Sequence, residues 1–216
     1  MFKKVKNMEI DWTLATPIIV VVVIGLLILC TIETIYFTRV GLTYLLAMFV
    51  KKKLHILEKC SIRGICTTRD VDMILTHMNN ARYLREVDLA RIDFYIRTRL
   101  YDVVKHQKGQ ILLGACFVRF RRYIGLFARF KLTTKIIYWN EDSIFIEHKF
   151  IGRDGFIHCT LLCQQRLVNC NGEIVMNILL KHGTTILPKP EMPMEIAKFL
   201  ELQDISKKSL STNNNV

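Results

Sequence analysis

Five residues with chemistry to offer lie close together: Asp70, Asp72, His77, Asn79 and Asn80, in the run DVDMILTHMNN. Carboxylates and an imidazole are the side chains that move protons near neutral pH. Asp88 follows, in VDLAR, beside Arg85 and Arg91. Two readings fit these residue types. In one the stretch is a catalytic corner. In the other it is a strand end and a capped helix start: Asp70 and Asp72 accept backbone N–H bonds, and an asparagine caps the helix. On that second reading Asp88 only pairs with Arg85 or Arg91 on the helix surface.

The residues that follow must form the helix that positions this corner. Tyr83, Val87, Ala90 and Phe94 recur at helical spacing, with Leu84 beside them. Arg82, Arg85, Glu86 and Asp93 fall largely opposite, so the pattern predicts an amphipathic helix to about Arg97 with Asn79 or Asn80 as N-cap. A short strand over Gly64–Thr68 leads into the corner. After Gly109 the periodicity changes. QILLGACFVRFRRYIGLF, ARFKLTTKIIYW, SIFIEHKFI and FIHCTLLCQQRLVN are rich in β-formers. Asn140–Asp142 and Arg153–Gly155 read as hairpin turns between them. Asn171-Gly172 reads as a further turn, and EIVMNILLKHG as a final strand. One long helix lying against four or more antiparallel strands makes an α+β domain. PKPEMP breaks the pattern. A short helix is expected from about Pro193 to Asp204, then a disordered polar tail.

The N-terminal part differs in kind. No charge occurs from Trp12 to Ile32, and about 20 apolar residues span a bilayer as a helix. An uncleaved transmembrane anchor is expected, with Trp12 and Tyr36 at the interfaces. Leu42, Leu45, Leu46 and Phe49 then make a helical apolar stripe ending in Lys51–Lys53. Such a stripe suits a membrane surface, or packs against the folded domain. The expected order is therefore 1–11 tail, 12–36 anchor, 37–58 juxtamembrane amphipathic helix, 59–187 folded domain, and 188–216 short helix and tail.

Composition narrows the function. The net charge of +12 at pH 7 suits nucleic acid or the anionic cytosolic face of a membrane. Nucleic-acid binding wants aromatics interleaved on a basic platform, and RFRRY has some, but the expected membrane anchor argues against it. The seven cysteines are odd in number and form no CxxC pair, so reduced, mostly buried thiols are expected in a cytosolic domain. His106, His148, His158 and His182 are not at ligand spacing, so no metal is expected, nor a cofactor. Arg119, Arg121 and Arg122 lie in one predicted strand. Alternation puts the first two on one face and Arg122 on the other, where a pair could meet coenzyme A phosphates or anionic lipid headgroups.

The whole pattern resembles the hotdog-fold acyl thioesterases. The resemblance rests on Asp72, His77-Met78-Asn79-Asn80, Tyr83, Asp88, Ala90 and Arg91, and on FKLTTKIIYWNEDSIFIEHKFIGRDGF as the central strands; it covers about Arg63 to Val168. It implies a hotdog fold, a long central helix wrapped by an antiparallel sheet. It further implies that Asp72 attacks a fatty acyl thioester or activates water, with His77 orienting or shuttling a proton. The helix start at Asn79 and Asn80 would polarise the thioester carbonyl. Asp88 is the second candidate acid. Acyl-CoA as substrate, a homodimer, and residence in the endoplasmic reticulum membrane with a cytosolic domain are implied likewise. Two departures stand out: five steps separate Asp72 from His77 where four are usual, and the intervening MILT is apolar.

Overall fold

A computed structural model describes residues 12–31, 33–181 and 189–213. The chain divides into two compact units, Met1–Leu42 and Thr43–Val216. In the first, helix α1 spans Trp12–Thr31, and a second helix, α2 (Thr34–Leu45), starts there and runs across the boundary. Of the residues expected as an anchor over 12–36, 12–31 belong to α1 and 34–36 to α2. Among the described residues no helix is long and apolar enough to cross a membrane. The 1–11 tail lies outside the described residues.

The second unit begins with the end of α2 and a π-helical turn over Leu46–Val50. Lys51 turns extended there, so the helix expected to reach 58 stops. Ala47 faces inward and is fully buried, whereas Leu45, Phe49 and Val50 are exposed. The segment is held to the domain by polar contacts. Leu54 N–H donates to the Arg97 carbonyl (3.0 Å), and Arg97 Nε to the Lys52 carbonyl (2.9 Å).

Strand β1 (Cys60–Ile65) leads to helix α3 (Asn80–Arg97) and helix α4 (Leu100–His106). Four strands follow: β2 (Gln110–Phe120), β3 (Arg129–Trp139), β4 (Ser143–Gly152) and β5 (Ile157–Val168). All five strands form one antiparallel sheet in the order β1-β3-β4-β5-β2, which leaves β1 and β2 as edges. The expected turns are where the spacing put them. Asn140 Oδ1 accepts the N–H of Ser143 (2.8 Å), and Gly155 takes the positive φ of +78° that the β4–β5 turn requires.

Helix α3 lies against the sheet by the face its spacing predicts. Tyr83, Val87, Ala90 and Phe94 are all buried, packed with Leu132, Ile146, Phe150, Leu161 and Cys163. Burial of each larger side chain stabilises the fold by roughly 1.5–3 kcal/mol. The polar side is not uniformly wet, however. Asp93 is fully buried, paired with Lys51 and Arg97, and it accepts a bond from the Cys60 thiol (3.0 Å). Burial, with Asp93 adding to it, pushes that thiol up to about 12. The cluster pins the end of the basic segment to α3.

Two C-terminal expectations change. The stretch from Gly172 to Lys181 is a helix, α5, and not a strand; residues 182 and 183 of the expected strand lie outside the described residues. Val175, Met176, Leu179 and Leu180 are buried at helical spacing, and Asn171 Oδ1 caps the first turn by accepting Glu173 N–H (2.8 Å). Gly172 allows close approach: a Cβ there would sit 2.2 Å from the Asn140 carbonyl. The last helix, α6, spans Met194–Asn213, far beyond Asp204, so the polar residues to Asn213 are helical. Pro193 precedes it, and Lys198–Glu201 and Asp204–Lys207 pair one turn apart. Residues 214–216 lie outside the described residues. Helix α6 covers the sheet face away from α3. Ile196 is buried with Tyr138 and Phe145 there.

Candidate functional site

The corner between β1 and α3 is built by its own carboxylates. Asp70 Oδ2 accepts the backbone N–H (2.9 Å) and the hydroxyl (2.6 Å) of Thr67, and the Asp70 carbonyl accepts Asn79 N–H (2.7 Å). Val71 pairs with Met78, and Asp72 N–H donates to the His77 carbonyl (3.0 Å). A small hairpin results, with residues 73–76 as its tip. Asp72 Oδ1 accepts bonds from Thr76 N–H (3.1 Å), the Thr76 hydroxyl (3.4 Å) and His77 N–H (3.4 Å). Oδ2 is the other oxygen, and it stands 3.9 Å from His77 Nε2. Lost hydration works to raise the Asp72 carboxyl. The N–H bonds of Thr76 and His77, with the nearby imidazole, outweigh this and hold it below the usual carboxylate range. Asp72 is therefore the anionic partner at neutral pH.

The extra residue between Asp72 and His77 is absorbed at the tip. Leu75 takes φ +55°, a left-handed conformation that costs a non-glycine residue free energy. The apolar side chains do not fill the corner: Met73, Ile74 and Leu75 are 99%, 78% and 60% exposed. His77 is held from the far side. It bridges to Gly125, and its ring lies 5.6 Å from that of Tyr123. Its Nδ1 is buried without a hydrogen-bond partner among the described residues. Tyr123 had no signal in local spacing, because it reaches the corner from the segment after β2.

Asn79 is the N-cap of α3. Its φ and ψ are −61° and 139°, and Oδ1 accepts Ala81 N–H (2.9 Å). Asn80 opens the helix with an exposed side chain. Its N–H has no partner among the described hydrogen bonds. It points from the positive end of a helix dipole. Asp72, His77, Asn79 and Asn80 are thus brought together, a carboxylate and an imidazole next to a helix N-terminus.

Asp88 is not part of that group. It pairs with Arg91, whose Nη1 donates to Gln165 Oε1 (3.2 Å). By helical rise it sits about 12 Å along α3 from Asn80. Near it are two thiols in direct register, the half-buried Cys116 and the buried Cys163, with sulfurs 3.3 Å apart. The arginines also divide. Arg119 and Arg121 line a groove on the sheet face under α6. Alternation fails at the next residue, since Arg121 and Arg122 both donate their N–H groups to the His158 carbonyl (2.8 and 3.2 Å). Consequently both guanidinium groups meet the Phe156 ring, and Arg122 also pairs with Asp154 (2.9 Å). Among the described residues no cluster of His, Cys, Asp and Glu could hold a metal ion.

This chain and its architecture have relatives. Residues 66–200 match the sequence model of the family described as the thioesterase-like superfamily. Protein THEM6 of Drosophila melanogaster is 37% identical over 176 residues, which is 81% of this chain and 89% of that protein. Protein THEM6 of Danio rerio is 33% identical over 158 residues, 73% of this chain and 78% of that one. Among solved structures, the probable thioesterase YbaW from Escherichia coli superposes with a TM-score of 0.52. It is 16% identical and covers 56% of this chain and 96% of its own, a likeness of fold. The chain belongs to the thioesterase-like superfamily and has its hotdog fold, an α+β domain with an antiparallel sheet.

Proposed function

We propose that this protein hydrolyses fatty acyl thioesters, acyl-CoA above all, at the cytosolic face of the endoplasmic reticulum membrane. The observation that carries the reading is the ionised Asp72. One of its oxygens organises the loop and the other faces His77 beside the start of α3. In this reading the thioester carbonyl oxygen lies at the Asn80 N–H and the helix end, which stabilise the negative charge that develops there. Asp72 Oδ2 takes a proton from a water that adds to the carbonyl carbon, or attacks that carbon itself to form a mixed anhydride that water then hydrolyses, and in either case the bond to sulfur breaks. His77 orients the water and returns a proton to the leaving thiolate. The products are a carboxylate and a free thiol. Asp88, tied to Arg91, is the second candidate acid, and of the three arginines Arg122 would meet the phosphates of coenzyme A, since Arg119 and Arg121 line the groove under α6.

Two features support placement at a bilayer. The run from Trp12 to Ile32 carries no charge, and Leu45, Phe49 and Val50 are exposed next to Lys51–Lys53. A homodimer fits the exposed edge of β2, where Leu112, Leu113, Phe117 and Phe120 are all uncovered.

A second reading has its own observation. Asp72 Oδ1 accepts three bonds from its own loop, the arrangement of a carboxylate that shapes a turn. On that reading the protein is a catalytically silent acyl-binding or scaffolding module at the membrane. Thiol release from acyl-CoA of increasing chain length, measured on the purified full chain, separates the two. Turnover that rises toward long chains supports hydrolysis, and no release at any length leaves the silent module.

A further inference from the structure

The sheet face away from α3 has an ordered arrangement of charge and apolar surface. Along β4, Ile144, Ile146 and His148 are buried on one side. Glu147 and Lys149 therefore project from the other, together with Thr160 and Leu162 of β5. Helix α6 lies over part of this face, and between the two runs a groove of about 560 Å³, within the roughly 300–1,000 Å³ typical of small-molecule sites.

The strand register sorts its floor. Arg119, Thr160 and Lys149 stand directly opposite one another across β2, β5 and β4. One pleat along, Phe117 and Leu162 pair in the same way. A cationic row with a hydroxyl in its middle thus gives way to the apolar pair Phe117 and Leu162, beyond which Glu147 stands opposite Leu162 on β4, and α6 adds Phe199 and Leu202 above. The cations are unequally engaged. Lys149 pairs with Glu147 (2.7 Å) and Lys198 with Glu201 (2.7 Å). Arg121 reaches the Ile157 carbonyl (3.3 Å) and lies over Phe156. Arg119, at the β2 end of the row, has no acidic partner among the described residues. The one lining carboxylate likewise without a partner there is Glu195, on α6.

We propose that this groove binds a single-chain anionic amphiphile. Its carboxylate or phosphate head bonds to Arg119 and the Thr160 hydroxyl, with Lys149 adding positive charge. Its alkyl chain lies along Phe117 and Leu162 beneath Phe199 and Leu202. Such a head comes from a free fatty acid or from a lysophospholipid. The site lies across the sheet from α3 and does not depend on Asp72 being catalytic.

The test uses the full chain in phosphatidylcholine nanodiscs and palmitate with a diazirine near the chain end. After illumination, adducts are mapped by peptide mass spectrometry. The expected adducts fall on peptides containing Phe117, Phe199 or Leu202. Arg119→Glu should reduce labelling about tenfold or more, the range of one charge-assisted hydrogen bond. Leu202→Glu, at an exposed position that does not threaten folding, should reduce it as well, and Arg119→Lys should retain part of it. Competition by unlabelled palmitate alone assigns a free fatty acid. Competition by lysophosphatidate alone assigns a lipid phosphate, and both support the site. Equal competition by uncharged monopalmitin, adducts elsewhere, or labelling indifferent to Arg119→Glu would overturn it. Labelling that persists in Asp72→Asn keeps the groove even where hydrolysis fails. Labelling lost in that variant would move the ligand to the thioester site and end the proposal.

Discussion

His148 gives the fold a predictable weakness to acid. Its ring is fully buried in the inner face of the sheet, with Nδ1 bonded to the Thr134 hydroxyl (3.0 Å). Nε2 has no partner among the described residues. Burial pushes its pKa from 6.5 to about 3, and the nearby Arg91 pushes the same way. The folded state thus keeps His148 neutral where the unfolded chain protonates it. This contribution is unaffected above about pH 6.5 and declines as pH falls toward 3, because only the unfolded state gains the proton. Between pH 7.5 and 4.5 this corresponds to a loss of roughly 2–3 kcal/mol. The measurement is urea unfolding of the full chain in mild detergent, followed by the fluorescence of buried Trp139, for wild type and His148→Gln. The variant keeps a group able to bond Thr134 but cannot titrate. Its stability should fall less over this range, by about that amount. Parallel pH curves for the two proteins would refute the burial argument.

Other consequences follow from single residues. Leu75→Gly should stabilise the domain by about 1 kcal/mol, because glycine accepts the positive φ and Leu75 buries little; chemical denaturation checks the sign. Asp93→Asn should destabilise by about 3 kcal/mol, since it leaves Lys51 and Arg97 without their buried counter-charge. The same variant should make the backbone amides of residues 51–54 exchange faster with deuterium.

What the sequence made legible was whatever has a short period. The face of α3, the Asn79 cap, the strand runs and their two turns follow from neighbours within four residues of one another. The misreadings have the opposite origin. Asp93 looked solvated because its partner Lys51 lies 42 residues away. EIVMNILLK looked like a strand because its isoleucines and valine suit sheets, yet Asn171 and the spacing of Val175, Met176, Leu179 and Leu180 were a helix signal in plain view. Arg122 was misplaced because alternation stops where two N–H groups share one carbonyl. At the corner itself, residue types were readable but their engagement was not. Nothing local told that MILT would point outward, that Tyr123 would hold the His77 ring, or that Arg91 would claim Asp88.

The most direct test compares thiol release from long-chain acyl-CoA by the full-length wild type, Asp72→Asn and Asp88→Asn, each checked for folding by circular dichroism. The account predicts measurable release by the wild type and a loss of about two to four orders of magnitude in Asp72→Asn, with Asp88→Asn retaining most turnover. Full turnover in Asp72→Asn with loss in Asp88→Asn would move the chemistry to the helix carboxylate, and no release by the wild type at any chain length would contradict hydrolysis altogether.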